Sequence, residues 1–197
     1  MEQKKCFLYK AIPTNTDAPS SGWIGGCPPA CFDKEDTSVK GNLFYMTFIL
    51  PNEQRQISIF LPEDSDMYLY KNRYPNCAIK VIEHHISSEG TKIELQHPAI
   101  MKHDIILYKE CCDVEAKNEP FLLKLGGTPR LVQNKRFYYD QLEKEGYFFY
   151  MQIDEDGYPL DGLLKGNSPF CYGALYLYAK RDNNITKNII AGYWQST

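Results

Sequence analysis

A glycine pair followed two positions later by proline occurs twice in this chain, and the same order of sequence follows it each time. Gly25-Gly26-Cys27-Pro28 precedes the apolar runs Leu43–Ile49 and Ile57–Leu61. Gly126-Gly127-Thr128-Pro129 precedes Tyr147–Ile153 and Ala174–Ala179. The tripeptide Phe44-Tyr45-Met46 returns as Phe149-Tyr150-Met151. Glycine admits positive φ and close backbone approach, and proline fixes the exit direction, so each pair predicts a sharp turn feeding a strand. Recurrence of a whole turn-strand-strand order reads as a diverged internal duplication. No long 3.6-residue apolar period occurs anywhere, so helix is minor. The expected fold is mainly β with minor α (α+β). Two related β-rich halves, near 1–110 and 120–197, would pack as one pseudo-symmetric domain spanning 1–197.

Taken in order, Phe7-Leu8-Tyr9 predicts a short strand ended by Pro13, and Thr14 to Gly22 an exposed or flexible loop. Asp33 to Lys40 is charged and loop-like. Leu43 to Ile49, apolar on both alternations, predicts a strand buried on both faces, and Pro51–Gln54 a hairpin turn into the next. Tyr68-Leu69-Tyr70 predicts a short edge strand. Further strands are expected at Ala78 to Ile86, Ile93 to Gln96 and Asp104 to Tyr108, and Glu110 to Glu119 reads as the linker between halves. Phe137 to Glu145 is the best short helix, with an aromatic β-turn-β at Phe137-Tyr138-Tyr139 as the alternative. Asn183-Asn184 predicts a hairpin turn into a last strand, Ile185 to Trp194.

The apolar share, 43%, is modest, but 14% aromatic content, most of it from 15 Tyr and 10 Phe, supplies large buried areas. A net charge of -3 gives no long-range attraction to nucleic acid or anionic membranes. No apolar run reaches the roughly 20 residues of a membrane span, and the start has none long enough for a signal peptide. A cytoplasmic protein is expected. Its seven cysteines are odd in number and irregularly spaced, unlike the framework of a small secreted domain.

Lys124-Leu125-Gly126-Gly127-Thr128-Pro129 through Gln133, then Phe149-Tyr150-Met151-Gln152-Ile153-Asp154, then Gly173-Ala174-Leu175-Tyr176, resemble the second half of the YwqG-like family. That family is similar to a bacterial branch of a wider group that includes programmed cell death protein 2. Trp23 to Leu61 resembles its amino-terminal part. There, Trp23-Ile24 stands where a basic-hydrophobic pair is expected, and the following strand lacks the Gln-Ile-Asp type of ending. Met1 to Ser21 and Tyr68 to Glu119 are unmatched. The resemblance implies a two-halved β-rich fold with no catalytic residues to carry over. It favours protein binding, as members occur near bacterial toxin systems and eukaryotic relatives act as chaperones for a ribosomal protein.

No set of residues composes a catalytic motif. Cys27 and Cys31, with Cys111-Cys112 and His84, His85, His97 and His103, lack the paired knuckles of structural zinc, so no metal or cofactor is expected. His84-His85 on a strand should point to opposite faces, as structural histidines. The alternative is a small-molecule binding protein or hydrolase using them with Cys or carboxylates from elsewhere. Asp154-Glu155-Asp156-Gly157 lacks the calcium-loop spacing and reads as a solvated hairpin tip. Gln152, in an apolar strand, either pairs with backbone near the glycine turn or faces a partner, since an unpaired buried amide costs roughly 1–3 kcal/mol. Tyr172, Tyr176 and Tyr178 offer core on one face and a contact surface on the other. The expected function is non-enzymatic binding of another protein, as an immunity or chaperone-like factor. The residues proposed to carry it are Trp23, Gln133, Gln152, Asp154, Tyr172 and Tyr176. A free strand edge would also allow a homodimer.

Overall fold

Aromatic and β-branched runs with one or both faces apolar pair into a single antiparallel sheet of ten strands. The computed structural model describes residues 4–14, 17–34, 36–160, 162–183 and 185–196, the side chains of 65 and 66 excepted. The elements are β1 (Lys5–Pro13), β2 (Gly22–Ile24), β3 (Asn42–Ile49), β4 (Arg55–Pro62), α1 (Ser65–Tyr70), β5 (Lys80–His85), β6 (His103–Cys112), α2 (Asp113–Ala116), β7 (Leu123–Gly126), α3 (Asp140–Lys144), β8 (Phe148–Asp154), β9 (Ala174–Asp182) and β10 (Ile185–Gln195). The fold is therefore mainly β, as expected. Of the predicted loop and hairpin turns, residues 15, 16 and 184 lie outside the described set.

Along the sheet the order is β10-β9-β8-β7-β1-β6-β2-β3-β4-β5. Exchanging β1 with β6, β2 with β7 and so on reverses this order without changing it. The first strand of each five-strand set thus lies against the second strand of the other set: β1 on β7, and β6 on β2. The register irregularity of β3 against β4 falls between Phe44 and Met46, and that of β8 against β9 between Phe149 and Met151. Both glycine pairs have positive φ, 69° and 70° at Gly25 and Gly26, 77° and 70° at Gly126 and Gly127.

The sheet curls into a nearly closed barrel. Glu83 on β5 accepts the Ile189 N–H of β10 at 2.9 Å, and the Arg55 guanidinium reaches the Thr186 carbonyl. Beside them the 72–74 segment lies along β10, with Tyr74 N–H on the Gly192 carbonyl and Trp194 N–H on that of Asn72. These contacts occupy much of the β10 edge, which otherwise would template pairing with another chain. Ile24, Met46, Phe48, Ile59, Met151, Ile153 and Leu177 fill the interior. Outside, the segment after each glycine pair folds back over its own strands. Phe32 and Val39 cover Phe44 and Phe60, and Leu142 covers Tyr176 and Tyr178.

The two mouths differ. At one, the β3–β4 connection is the tight turn 50–54. At the other, the β8–β9 connection is the long segment 155–173, whose described residues around Leu163 and Phe170 fold into the barrel. Phe170 and Leu163 are buried there, Tyr158 donates to or accepts from Tyr45 hydroxyl to hydroxyl at 2.6 Å, and Tyr68 stacks on Trp194. Glu155 holds the segment in place by accepting the N–H groups of Phe170 (2.7 Å) and Gly173 (3.1 Å).

Four local expectations are corrected. Tyr68-Leu69-Tyr70 lies in helix α1, because only Tyr68 is required inward and a helical turn delivers it to Trp194 and Phe170 while Tyr70 stays exposed. Ile93–Leu95 is a 3-10 turn with Ile93 exposed, since the alternation has no neighbouring strand to use it. Glu110 to Glu119 is no linker: its start completes β6 and its middle forms α2, packed on Cys6 and Leu8 of β1 through Ala116. Asp154 and Glu155 are buried, and only Asp156 of that acidic turn is solvated, because the turn opens the segment that plugs the mouth.

Candidate functional site

The second glycine pair builds a recess in the protein surface. Gly126 and Gly127 turn the chain off β7, and a Cβ on Gly127 would lie 2.2 Å from Asp113 Oδ1. Lys124 is only 4% exposed, yet its ammonium is satisfied by Asp113 Oδ1 and the Thr128 carbonyl, both at 2.7 Å. Asp113 also accepts the Thr128 N–H and hydroxyl. Burial opposes the charge on Asp113, but these hydrogen bonds outweigh it and hold its carboxyl below the ordinary aspartate range.

Beyond the turn, residues 130–133 run over the outer face of β8 and β9. Gln152 pairs with the Arg130 backbone in both directions, accepting its N–H at 2.8 Å and donating to its carbonyl at 2.9 Å, and donates also to Asp154 Oδ2 at 2.9 Å. The Arg130 guanidinium donates to Asp154 Oδ2 at 2.9 Å and to the Glu119 carbonyl, and stacks 4.4 Å over Phe121. The buried Tyr176 hydroxyl donates to the Arg130 carbonyl and accepts the Val132 N–H. Gln133 and Gln195 exchange backbone-to-amide bonds at 3.0 and 2.8 Å. Four expected site residues, Gln133, Gln152, Asp154 and Tyr176, therefore meet around one segment. Their polar atoms are directed at the chain itself. Burial raises the Asp154 pKa although Arg130 opposes it.

This segment forms one wall of a cleft of about 1000 Å³ at the open mouth. Phe7, Leu125, Phe148 and Tyr150 line it from the barrel side, and Leu131, Tyr139, Tyr147 and Phe149 from the outer layer. Lys4, Lys5 and Arg181 stand at its rim against the single carboxylate of Glu143. Lys5 is paired with Glu110, while Arg181 lies 4.9 Å over the Phe148 ring. Burial pushes the Tyr150 phenol pKa up, so it remains a neutral hydroxyl donor. It has no hydrogen-bond partner among the described residues.

Trp23 and Tyr172 are not part of this site. Trp23 belongs to the outer cluster of the first half, where its indole N–H donates to the Cys27 carbonyl at 2.9 Å. Tyr172 is 74% exposed in the loop before β9, whereas Tyr176 and Tyr178 are buried under α3, so the tyrosine stripe presents no broad contact face.

His84 and His85 face different surroundings, as alternation requires. His84 Nδ1 lies 2.7 Å from the His85 carbonyl and 3.5 Å from Cys31 Sγ, and its Nε2 lies 2.8 Å from Ser58 Oγ. A Ser–His pair with an oriented ring is the geometry of a nucleophile and its base. Ser58 is fully buried, however, so the hydroxyl meets no substrate, and the bonds serve to pin β5 to β4. Burial lowers the His84 pKa.

Sequence reasoning missed Arg130, Lys124 and Asp113, which shape the turn, and Phe7, Phe148 and Tyr150, which line the cleft. Two cations flanking a glycine pair within apolar sequence were the available signal. Neither family models, nor curated proteins, nor solved structures yield a match to this chain.

Proposed function

We propose that the protein is a non-enzymatic binding module that holds a segment of another protein in the cleft beside Gly126 and Gly127. The observation that carries this is the asymmetry of the mouths. One is filled by the chain's own 155–173 segment, while the other leaves aromatic side chains around about 1000 Å³ of open space. Concave aromatic sites with few polar groups are the usual form of a binding site. The immunity or chaperone-like role implied by the YwqG-like resemblance is the role we assign, in the cytoplasm. The exchange-symmetric strand order, the matching irregularities at Phe-Tyr-Met and the two positive-φ glycine pairs support descent of the halves from one duplicated unit. A photo-crosslinking residue at exposed Thr128, introduced into the protein in its native cell, tests the function. A protein adduct located to the cleft is expected. A small molecule co-purifying in its place, with no protein adduct, would refute it.

A further inference from the structure

We propose that the occupant of this cleft is an acidic polypeptide segment that inserts an aromatic side chain. The inference rests on the binding reading above and adds the chemistry of the partner. The two mouths exchange places when β1–β5 are matched to β6–β10, and this matching sets Tyr150 opposite Tyr45. Tyr45 is covered by polypeptide: its hydroxyl meets that of Tyr158 at 2.6 Å and its ring meets Phe170 edge-on at 5.6 Å. Tyr150 has the corresponding place on its strand, with its hydroxyl unpaired among the described residues. The matching connection, the tight turn 50–54, brings the charge of Glu53 near it but no aromatic ring or hydroxyl. What the filled mouth receives from within, a loop carrying aromatic rings and a hydroxyl, no described segment of this chain brings to the open mouth.

Charge separates the two mouths and selects the partner. The residues entering β6 at the filled mouth, Ile100 and Met101, correspond by register to Lys4 and Lys5 entering β1 at the open one. With Arg181 opposite, three cations stand at the rim; Glu110 pairs Lys5, which leaves Lys4 and Arg181 against the lining carboxylate of Glu143. Neither Lys4 nor Arg181 has an ion-pair partner among the described residues. A segment with carboxylates beside its aromatic residue would meet this rim with complementary charge, and a basic one would be repelled.

The test uses the full-length protein and fluorescein-labelled peptides read by anisotropy. The probes are an Asp/Glu-rich peptide with a central tyrosine, the same peptide with lysine for every acidic residue, and the acidic peptide with serine for tyrosine. Only the first should bind well, and both controls should be weaker by at least about tenfold. Binding should fall as salt is raised, because exposed charges are screened. The double substitution Lys4→Glu, Arg181→Glu, at two exposed positions, should weaken the acidic peptide by about tenfold or more and restore the lysine peptide. Equal binding of acidic and lysine peptides, or indifference to the rim substitutions, would overturn the proposal. So would self-association in sedimentation that the double variant abolishes, since the occupant would then be a second copy of this chain. A natural partner crosslinked at Thr128 through a neutral or basic segment would overturn this inference and leave the binding reading standing.

Discussion

Replacing Gln152 by leucine tests whether the wall of the cleft is held by the amide. The side chain has three hydrogen bonds, and their loss is unequal. The Arg130 carbonyl keeps the Tyr176 hydroxyl, and Asp154 Oδ2 keeps the Arg130 guanidinium. The Arg130 N–H has no second acceptor, so one backbone donor is orphaned. That costs about 1–3 kcal/mol, and losing the bond to a carboxylate brings the expected destabilisation to about 2–3 kcal/mol. At roughly 2–4 °C per kcal/mol for a chain of this size, the melting temperature should fall by about 4–12 °C. Urea unfolding should show a lower midpoint with an unchanged m value. Gln152→Glu sharpens the test, because its carboxylate keeps the acceptor for Arg130 but faces Asp154. Two such groups must share a proton, so the folded variant binds more protons than the unfolded chain, and its deficit should shrink as pH falls. A Gln152→Leu change under about 0.5 kcal/mol, with a pH-independent Gln152→Glu deficit, would refute the reasoning.

The other expectations concern the mouths and the buried titrating groups. Gly25→Ala should cost more than about 3 kcal/mol in urea unfolding, since its Cβ would lie 2.7 Å from the Ile100 and Met101 carbonyl oxygens. Gly126→Ala meets nothing nearer than Lys5 O at 3.3 Å and should cost only the left-handed penalty of about 1–2 kcal/mol, so equal costs would contradict the difference between the mouths. Burial raises the Glu155 pKa, so its contribution to stability is present below the ordinary glutamate range and is lost as pH rises through the folded value. Wild type should therefore gain on Glu155→Gln as pH falls from neutrality, and a flat difference would count against it. His84, lowered by burial, should titrate below the ordinary 6.5 by NMR and favours the fold only above that range, an advantage lost as pH falls through its folded pKa. Exposed Cys31 and Cys171 should be alkylated in the native protein, while Cys6, whose thiol is pushed up to about 12 chiefly by burial, should react only on unfolding.

Long continuous runs of apolar and aromatic residues were legible as strands. Leu43 to Ile49 and Tyr147 to Ile153 are within a residue of β3 and β8. Short alternating stretches were not, since Tyr68–Tyr70 and Ile93–Gln96 alternate without a neighbouring strand to pair with, and only tertiary contact decides between helix, turn and strand. The aromatic halves of the cleft could be read as strands, but not as one site. Phe7 meets Leu125 through the pairing of β1 with β7, a register that depends on residues more than a hundred positions apart. Of the two readings the sequence left open for Gln152, backbone pairing near the glycine turn is the one the structure has, because a lone polar group in an apolar strand needs a partner. Its partner, Arg130, follows from the positive-φ turn that redirects the chain.

The exchange of first strands has a consequence for how the chain assembles. During synthesis β1 emerges first, yet both of its sheet neighbours, β6 and β7, belong to the second set. The amino-terminal set must therefore wait, with an unpaired strand, until most of the chain has been made. Such non-local pairing places folding in the slow, high-contact-order regime of milliseconds to seconds, where exposed edges are open to aggregation. Once folded, the same arrangement works in the opposite sense. A single cut in the backbone between β5 and β6 would leave two fragments, each with a first strand whose two sheet neighbours both lie in the other. Neither should fold alone, and mixed together they should reconstitute one barrel.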